Sequence, residues 1–478
     1  MKGRRIMSNE NAVQNEQDFL SEEALESFDL DELEAKLQEQ LEEELSDLAF
    51  LQEEREKIGN PDALGETIKN VVWEQYVNPG MDSTLKRAGA LKKEGIDSVT
   101  DIYTGEQIST QTKLDTKNYP LLRSVMELSK KDTQMAKGVA VLGMVMLHLF
   151  CRLGNLPYTP WIWVGETPLI YYLGLFGDIC VPIFCFCSGY AHYLMADAQG
   201  SRYQKRLPGK ALRFLSNYWI VVVLFSLLGF VFDRSGQIPG SWTNFAGNML
   251  VVGMNYNGAW WFVSTYLILL VLSPTMAALT KRLNGLVLTA VSFCIYFAAY
   301  VFRFNLIISL PNPVLQWLWD QAVLLGTSQF PYAVGMVFHK YGVVGTMRRW
   351  LEGRCALRRM VIFGLPAAAF FGHCVVQSVF VAPFTAAAVL ASLFLAKLPQ
   401  QMERCFLQLG KHSTNIWLVH MFFYQRLFLG LVFAAKYPLL ILLVMLAICF
   451  AVSAVIDRIY RPVLVCLDRR SRVNGTSH

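Results

Sequence analysis

Acidic side chains are scarce beyond residue 134. Residues 135–478 hold 9 of the chain's 38 Asp and Glu but 27 of its 43 Lys and Arg, a net charge of +18. The first 134 residues hold the other 29 acids with 16 bases, a net of −13, so the overall +5 averages two unlike parts. The basic residues of the second part fall in short loops between apolar runs and form no stripe on a soluble face, which argues against a nucleic-acid partner. The start does not look like a secretory signal, because Lys2, Arg4 and Arg5 are followed by the polar stretch Ser8-Asn9-Glu10-Asn11. The ten cysteines suggest no disulfide framework. Most lie in or beside apolar segments, as Cys180, Cys185, Cys187, Cys294, Cys374 and Cys449 do, where packed or lipid-facing thiols are expected and a metal is not. Zinc spacings, Gly-rich phosphate loops and a Ser–His–Asp order are likewise absent.

What the second part has in abundance is apolar sequence. Ten segments follow one another at 135–152, 168–196, 213–232, 258–279, 285–304, 321–339, 360–379, 380–397, 413–434 and 437–457. Each is about as long as a helix needs to cross a hydrocarbon core of ~30 Å. A further piece, 244–254, is too short to cross and reads as re-entrant, and the boundary between the seventh and eighth segments is expected near Pro383. The loops support the count through the positive-inside rule. With residue 134 in the cytoplasm, alternate loops and the tail on that side carry 21 Lys and Arg, whereas the opposite side has only Arg152, Arg234, Arg303 and Lys436. The expected fold is therefore all-α, a polytopic membrane bundle of about ten transmembrane helices over 135–460. It is preceded by an acidic cytoplasmic extension (1–134) and followed by a basic cytoplasmic tail (461–478). Both termini face the cytoplasm of a cell whose plasma membrane the chain spans.

Within the extension, leucines at 30, 33, 37, 41, 45, 48 and 51 recur at intervals of three and four with glutamates between them. That spacing predicts an amphipathic helix over 29–57. Two readings stay open: a short coiled coil that joins two copies or recruits a partner, or a helix packed on the rest of the extension.

Titratable groups inside apolar spans are costly to bury and mark candidate sites. Lys137 and His148 are eleven residues apart in the first span, about three turns, so they share one face ~16 Å apart along the axis. Arg152 continues that stripe outward at i+4 from His148. Asp178, halfway through the second span, needs a partner: a pair with His148 would orient the imidazole for acid–base work, while a pair with an arginine or a water-filled cavity would serve equally. In the ninth span His420 follows Ser413 by two turns, with Lys411 and His412 just before them. Trp260 and Trp261 open the fourth span. For His192, His339 and His373, packing or interfacial roles suffice.

Four ordered stretches carry a resemblance. AKGVAVLGMVMLH (136–148) resembles the first-span signature of the membrane acyltransferase-3 family, multi-pass proteins that O-acylate carbohydrates and related acceptors. VPIFCFCSGY (181–190), with Ser188 in its Ser-Gly-aromatic end, is similar to the family's second-span stretch. AWWFV (259–263) looks like its Trp-Phe motif, and LGKHSTNIWLVH (409–420) resembles its Gly-x-x-Ser…His element. The resemblance implies acyl-CoA, usually acetyl-CoA, as co-substrate used from the cytoplasmic side, and a carbohydrate or other cell-envelope hydroxyl as acceptor. It further implies His148 as catalytic base and Lys137 as donor-binding residue. At the latter position the family pattern has arginine; lysine keeps the charge but cannot offer a bidentate fork. Eleven cations in the 202–213 and 340–359 loops could meet the phosphates of CoA. Catalytic roles are thus expected for His148 and Asp178, with Arg152, Ser188, Trp261, Ser413 and His420 as further site residues and no metal. Two other classes use the same buried polar groups: a transporter or flippase for an envelope lipid or small anion, and a non-catalytic membrane scaffold.

Overall fold

The computed structural model describes residues 98–100, 107–109, 128–154, 156–233, 235–351 and 353–475. The helix expected over 29–57 lies outside the described residues. Within the extension, Ser98–Thr100 (β1) pairs antiparallel with Gln107–Ser109 (β2), Val99 opposite Ile108. All that follows is helical, apart from a second small ribbon of Trp163–Val164 (β3) and Thr167–Pro168 (β4).

Helix α1 (Lys130–Phe150) opens with a capping box. The Ser129 hydroxyl accepts from the Asp132 amide at 3.0 Å, and the Asp132 carboxylate accepts from the Ser129 amide at 3.1 Å. Then come α2 (Leu169–Gln199), α3 (Ser201–Phe232), α4 (Trp242–Met249), α5 (Gly258–Arg282), α6 (Gly285–Phe304) and α7 (Pro313–Tyr341). They are followed by α8 (Val343–Trp350), α9 (Cys355–Val376), α10 (Val379–Leu395), α11 (Gln400–Lys411), α12 (Ser413–Met421), α13 (Leu429–Phe433) and α14 (Pro438–Gly475). Among the described residues seven helices, α1, α2, α3, α5, α6, α9 and α14, are long and apolar enough to cross a membrane.

The other three expected spans are also helical but differ from a simple crossing. The 321–339 segment belongs to α7, which is long but more polar because its amides bond to neighbouring helices. Ser264 Oγ donates to Gln321 Oε1 at 2.6 Å, and Gln329 Nε2 donates to the Ser292 carbonyl at 2.7 Å. The 380–397 segment is the shorter α10. The 413–434 segment does not run straight: α12 passes into a π turn at Phe422–Arg426, and α13 starts anew after it. Other boundaries move as well. The third span begins at Ser201 rather than 213. The seventh and eighth separate at Gln377, where φ is 47°, while Pro383 sits harmlessly in the first turn of a helix. The 244–254 piece becomes α4, held at its end by Tyr218 and Trp219, whose side chains donate to the carbonyls of Asn248 and Met249 at 2.7 and 2.9 Å.

Small residues set how closely these helices meet, as expected where lipid gives no hydrophobic drive to helix pairing. A Cβ on Gly138 of α1 would strike the Phe406 carbonyl of α11, and one on Gly410 of α11 would strike the Gln134 carbonyl of α1. Gly189 of α2 and Gly335 of α7 make the same reciprocal contact with the carbonyls of Tyr332 and Phe186. The glycines in three of the four family-like stretches are thus points of backbone contact. Several of the loop cations are also committed to the fold. Lys340 donates to the carbonyls of Thr280 and Leu283 at the end of α5, and Arg358 donates to the Leu395 carbonyl. Arg348 binds both Asp132 and the Phe394 carbonyl.

Candidate active site

The four stretches converge on a cavity of about 150 Å³ between α1, α2, α3, α5 and α12. Lys137 and His148 line it from α1, Ser188 from α2, Trp261 from α5 and Ser413 from α12. The three-turn spacing of Lys137 and His148 places the ammonium near one end and the imidazole deeper. Among the described residues, neither Lys137 nor His148 has a hydrogen-bond partner, so both are available to a ligand in the cavity.

Two hydrogen-bonded joints fix the wall opposite α1. At the first turn of α12, Asn415 donates to Ser453 Oγ at 3.0 Å and to Asp457 at 2.8 Å, while Asn217 of α3 donates to Asn415 Oδ1 at 2.7 Å. His412 adds a 2.8 Å contact to the same Ser453 hydroxyl. Higher up, the start of α5 is joined to α12. Asn257 and Trp260 both donate to the Leu418 carbonyl, at 2.9 and 3.0 Å, and Trp417 Nε1 returns a bond of 3.0 Å to the Ala259 carbonyl. The adjacent tryptophans therefore divide their work. Trp260 is buried and structural; Trp261 faces the cavity, with the Arg303 guanidinium 4.9 Å from its ring centre.

His420 does not line the cavity but lies directly behind His148, their ring centres 5.0 Å apart. Its Nδ1 is 2.8 Å from the Trp417 carbonyl. A carbonyl only accepts, so Nδ1 carries the hydrogen. Among the described residues, Nε2 is then buried without a hydrogen-bond partner. Tyr424 completes the group, stacked on His420 at 6.1 Å and on His148 at 6.2 Å, and its hydroxyl is likewise buried and unpartnered. Sequence reasoning missed Tyr424. Its signal was its place at i+4 from His420, on the same helical stripe.

Asp178 does not pair with His148; its carboxylate is bonded to His373 Nε2 of α9 at 2.8 Å, both side chains buried. The reason lies in the 3-10 turn at Phe176–Ile179 within α2. Gly177 is the residue pressed against α1, where a Cβ would meet the Gly143 carbonyl, so its neighbour Asp178 projects away from α1 and towards α9. His373, for which packing seemed sufficient, is the missing partner. Arg152 lies past the end of α1, exposed and outside the cavity.

A helical membrane bundle that brings an ammonium, an imidazole and hydroxyls around one partly open cavity has the layout of a membrane-embedded group-transfer enzyme. Residues 133–458 match the acyltransferase-3 family, described as an acyltransferase domain, and the chain belongs to that family. It is a membrane acyltransferase. No curated protein and no solved structure matches the chain.

Proposed function

We propose that this enzyme transfers an acetyl group from acetyl-CoA to a hydroxyl of a carbohydrate or other cell-envelope acceptor, with His148 as the general base. The observation that carries the reading is the meeting of Lys137 and His148 on one cavity, both without a hydrogen-bond partner among the described residues. The acyl-CoA is a co-substrate that approaches from the cytoplasmic end, where Lys137 sits, with both termini on that side and all ten helical segments embedded in the plasma membrane. Lys137 is the cation that meets the donor. Its ammonium is a compact point charge without the planar two-pronged fork of a guanidinium.

The reaction needs one proton moved twice. His148 takes the proton from the acceptor hydroxyl as its oxygen adds to the thioester carbonyl. The C–S bond then breaks, and His148 returns the proton to the departing thiolate, giving an ester and CoA with no net change at the enzyme. Displacement of water from the cavity by the bound donor would favour this sequence, because excluded water cannot compete for the thioester. His420 has its Nδ1 hydrogen committed to Trp417 and packs its ring behind that of His148. Ser188 and Ser413 are the neutral hydroxyls on the wall that can hold the thioester or the incoming alcohol in place.

The test is calorimetric binding of acetyl-CoA to the full-length protein in detergent, with thiol release followed in membranes that contain the native acceptor. Saturable binding that Lys137→Ala weakens, together with CoA release that His148→Ala removes, is the expected result. Absence of binding by acetyl-CoA and by longer acyl-CoAs would sink the proposal. Binding without thiol release would point instead to transport.

A further inference from the structure

The carboxylate expected to orient His148 is bonded to His373 instead, which leaves the base without that support. Two groups beside it have bonding capacity to spare. His420 Nε2 and the Tyr424 hydroxyl are sealed from solvent and have no hydrogen-bond partner among the described residues. Their place on the chain explains the seal. Ser413, Trp417, Met421 and Gln425 recur every four positions along α12 and its π turn. The first two of that stripe line the His148 cavity, and the last two line a pocket of about 1200 Å³ beyond it. His420 and Tyr424 stand one place before Met421 and Gln425 and line neither space.

The three rings form a triangle. Between ring centres, His148 is 5.0 Å from His420 and 6.2 Å from Tyr424, and His420 is 6.1 Å from Tyr424. No direct hydrogen bond joins them, but a single water with two bonds of about 2.8 Å spans separations of this size. The His420 ring is not free to turn elsewhere, because its Nδ1 hydrogen is held by the Trp417 carbonyl at 2.8 Å. Trp417 is pinned in turn, its Nε1 donating to the Ala259 carbonyl at 3.0 Å. Polar groups left unpaired in a bundle interior are costly, and two side by side call for a shared partner. Water is the smallest molecule that serves both, since it can give a hydrogen to Nε2 and share a bond with the hydroxyl.

We propose that one ordered water bridges His420 Nε2, the Tyr424 hydroxyl and His148, and that His420 and Tyr424 are the positioning residues of the base. The inference rests on the acyl-transfer reading for the task of His148, but not for the water site itself. With its Nδ1 hydrogen committed, His420 can only accept at Nε2, so the water turns one hydrogen towards it. The water oxygen then accepts the N–H of His148, and Tyr424, which can give or take, fills a remaining place. This fixes the tautomer of the base. The nitrogen bonded to water carries the hydrogen, and the other presents its lone pair to the acceptor hydroxyl. Once His148 has taken the acceptor proton, the same water oxygen still holds the second N–H of the imidazolium. A neutral pair and a water thereby do the orienting expected of a carboxylate, with no negative charge placed beside the base.

The water is tested by a cryo-electron microscopy map of the full-length protein in nanodiscs, at a resolution that shows ordered waters. A peak is expected within about 3.2 Å of both His420 Nε2 and the Tyr424 oxygen. The positioning role is tested in native membranes by CoA release from acetyl-CoA. Tyr424→Phe keeps the stacked ring and removes only the oxygen; kcat is expected to fall about tenfold, with KM for acetyl-CoA and the thermal midpoint unchanged. His420→Phe is expected to lose about a hundredfold, and His420→Gln to recover part of that, because its amide oxygen restores an acceptor. A map without the peak, or with the Tyr424 oxygen in direct contact with Nε2, overturns the water. Wild-type kcat in Tyr424→Phe overturns the positioning role whether or not His420→Phe folds, since removing an idle buried hydroxyl costs nothing. A peak in a protein that releases no CoA would leave the water site standing and remove the acyl-transfer reading; CoA release without a peak would do the reverse.

Discussion

His373 on α9 and His148 on α1 both sit inside the bundle, and the protein treats them in opposite ways. His373 is bonded to a carboxylate at 2.8 Å and sealed among apolar side chains with Phe176 against its ring. His148 has no hydrogen-bond partner among the described residues, and its face is turned to a cavity that also holds Lys137. A satisfied buried pair ties helices together, and here it fastens α9, in which His373 is the one fully buried residue, to α2. An unsatisfied imidazole at the edge of a cavity has capacity left for a ligand. The distinction between a structural and a chemical histidine in this protein is a matter of what each is already holding.

That comparison can be broken. Replacing His148 by Ala should lower turnover by about 10²–10⁴-fold, the usual contribution of a general base, with the thermal midpoint in detergent little changed. A His148→Ala protein that unfolds early but turns over normally when folded would reverse the assignment. Asp178→Ala should do the opposite. It strands His373 and should destabilise the bundle by about 3 kcal/mol, with turnover per folded molecule unchanged. Adding His373→Leu should recover part of the loss, because the unpaired group is gone. If Asp178→Ala kept its melting behaviour and lost turnover, the sealed pair would have to be reassigned to chemistry.

Two smaller effects sharpen the picture. Lys137→Ala should weaken acetyl-CoA binding by about tenfold, and Lys137→Arg should restore it by calorimetry, since charge is the property the cavity requires there. In the loop after α3, burial opposes the charge of Asp233, but hydrogen bonds from Ser235 and the Ile238 amide outweigh it and hold the carboxyl below its ordinary range. A depressed acid contributes order that is present above its unfolded pKa of about 4 and disappears as pH falls through the folded value. Proteolysis of the 233–241 loop should therefore be slow at neutral pH and accelerate on acidification. Asp233→Asn should be cleaved faster at neutral pH and respond less to acid.

Much of this arrangement was legible in the residues. Helical periodicity puts Lys137 and His148 on one face whatever surrounds them, and long apolar runs show where helices form. The partner of Asp178 was not legible, because it depends on a 3-10 turn of four residues that rotates one side chain from α1 towards α9. Nor was the shape of the ninth segment. Its apolar run is continuous, yet the π turn at Phe422–Arg426 ends the helix early and sets Tyr424 against the two histidines. Hydropathy also overstated how uniform the spans are. It cannot see that the amides of α7 are bonded to Ser264 and Ser292, which lets a more polar helix sit inside the bundle.

The stripe of residues 413, 417, 421 and 425 has a thermodynamic consequence. Ser413 and Trp417 line the His148 cavity while Met421 and Gln425 line the pocket beyond it, so a ligand that shifted this segment from one side would change the shape of the other. Linkage would then require symmetry: whatever factor one ligand imposes on the affinity of the other, the second must impose on the first. Two ligands that shared this segment would be coupled through Met421 and its neighbours rather than through either ligand alone.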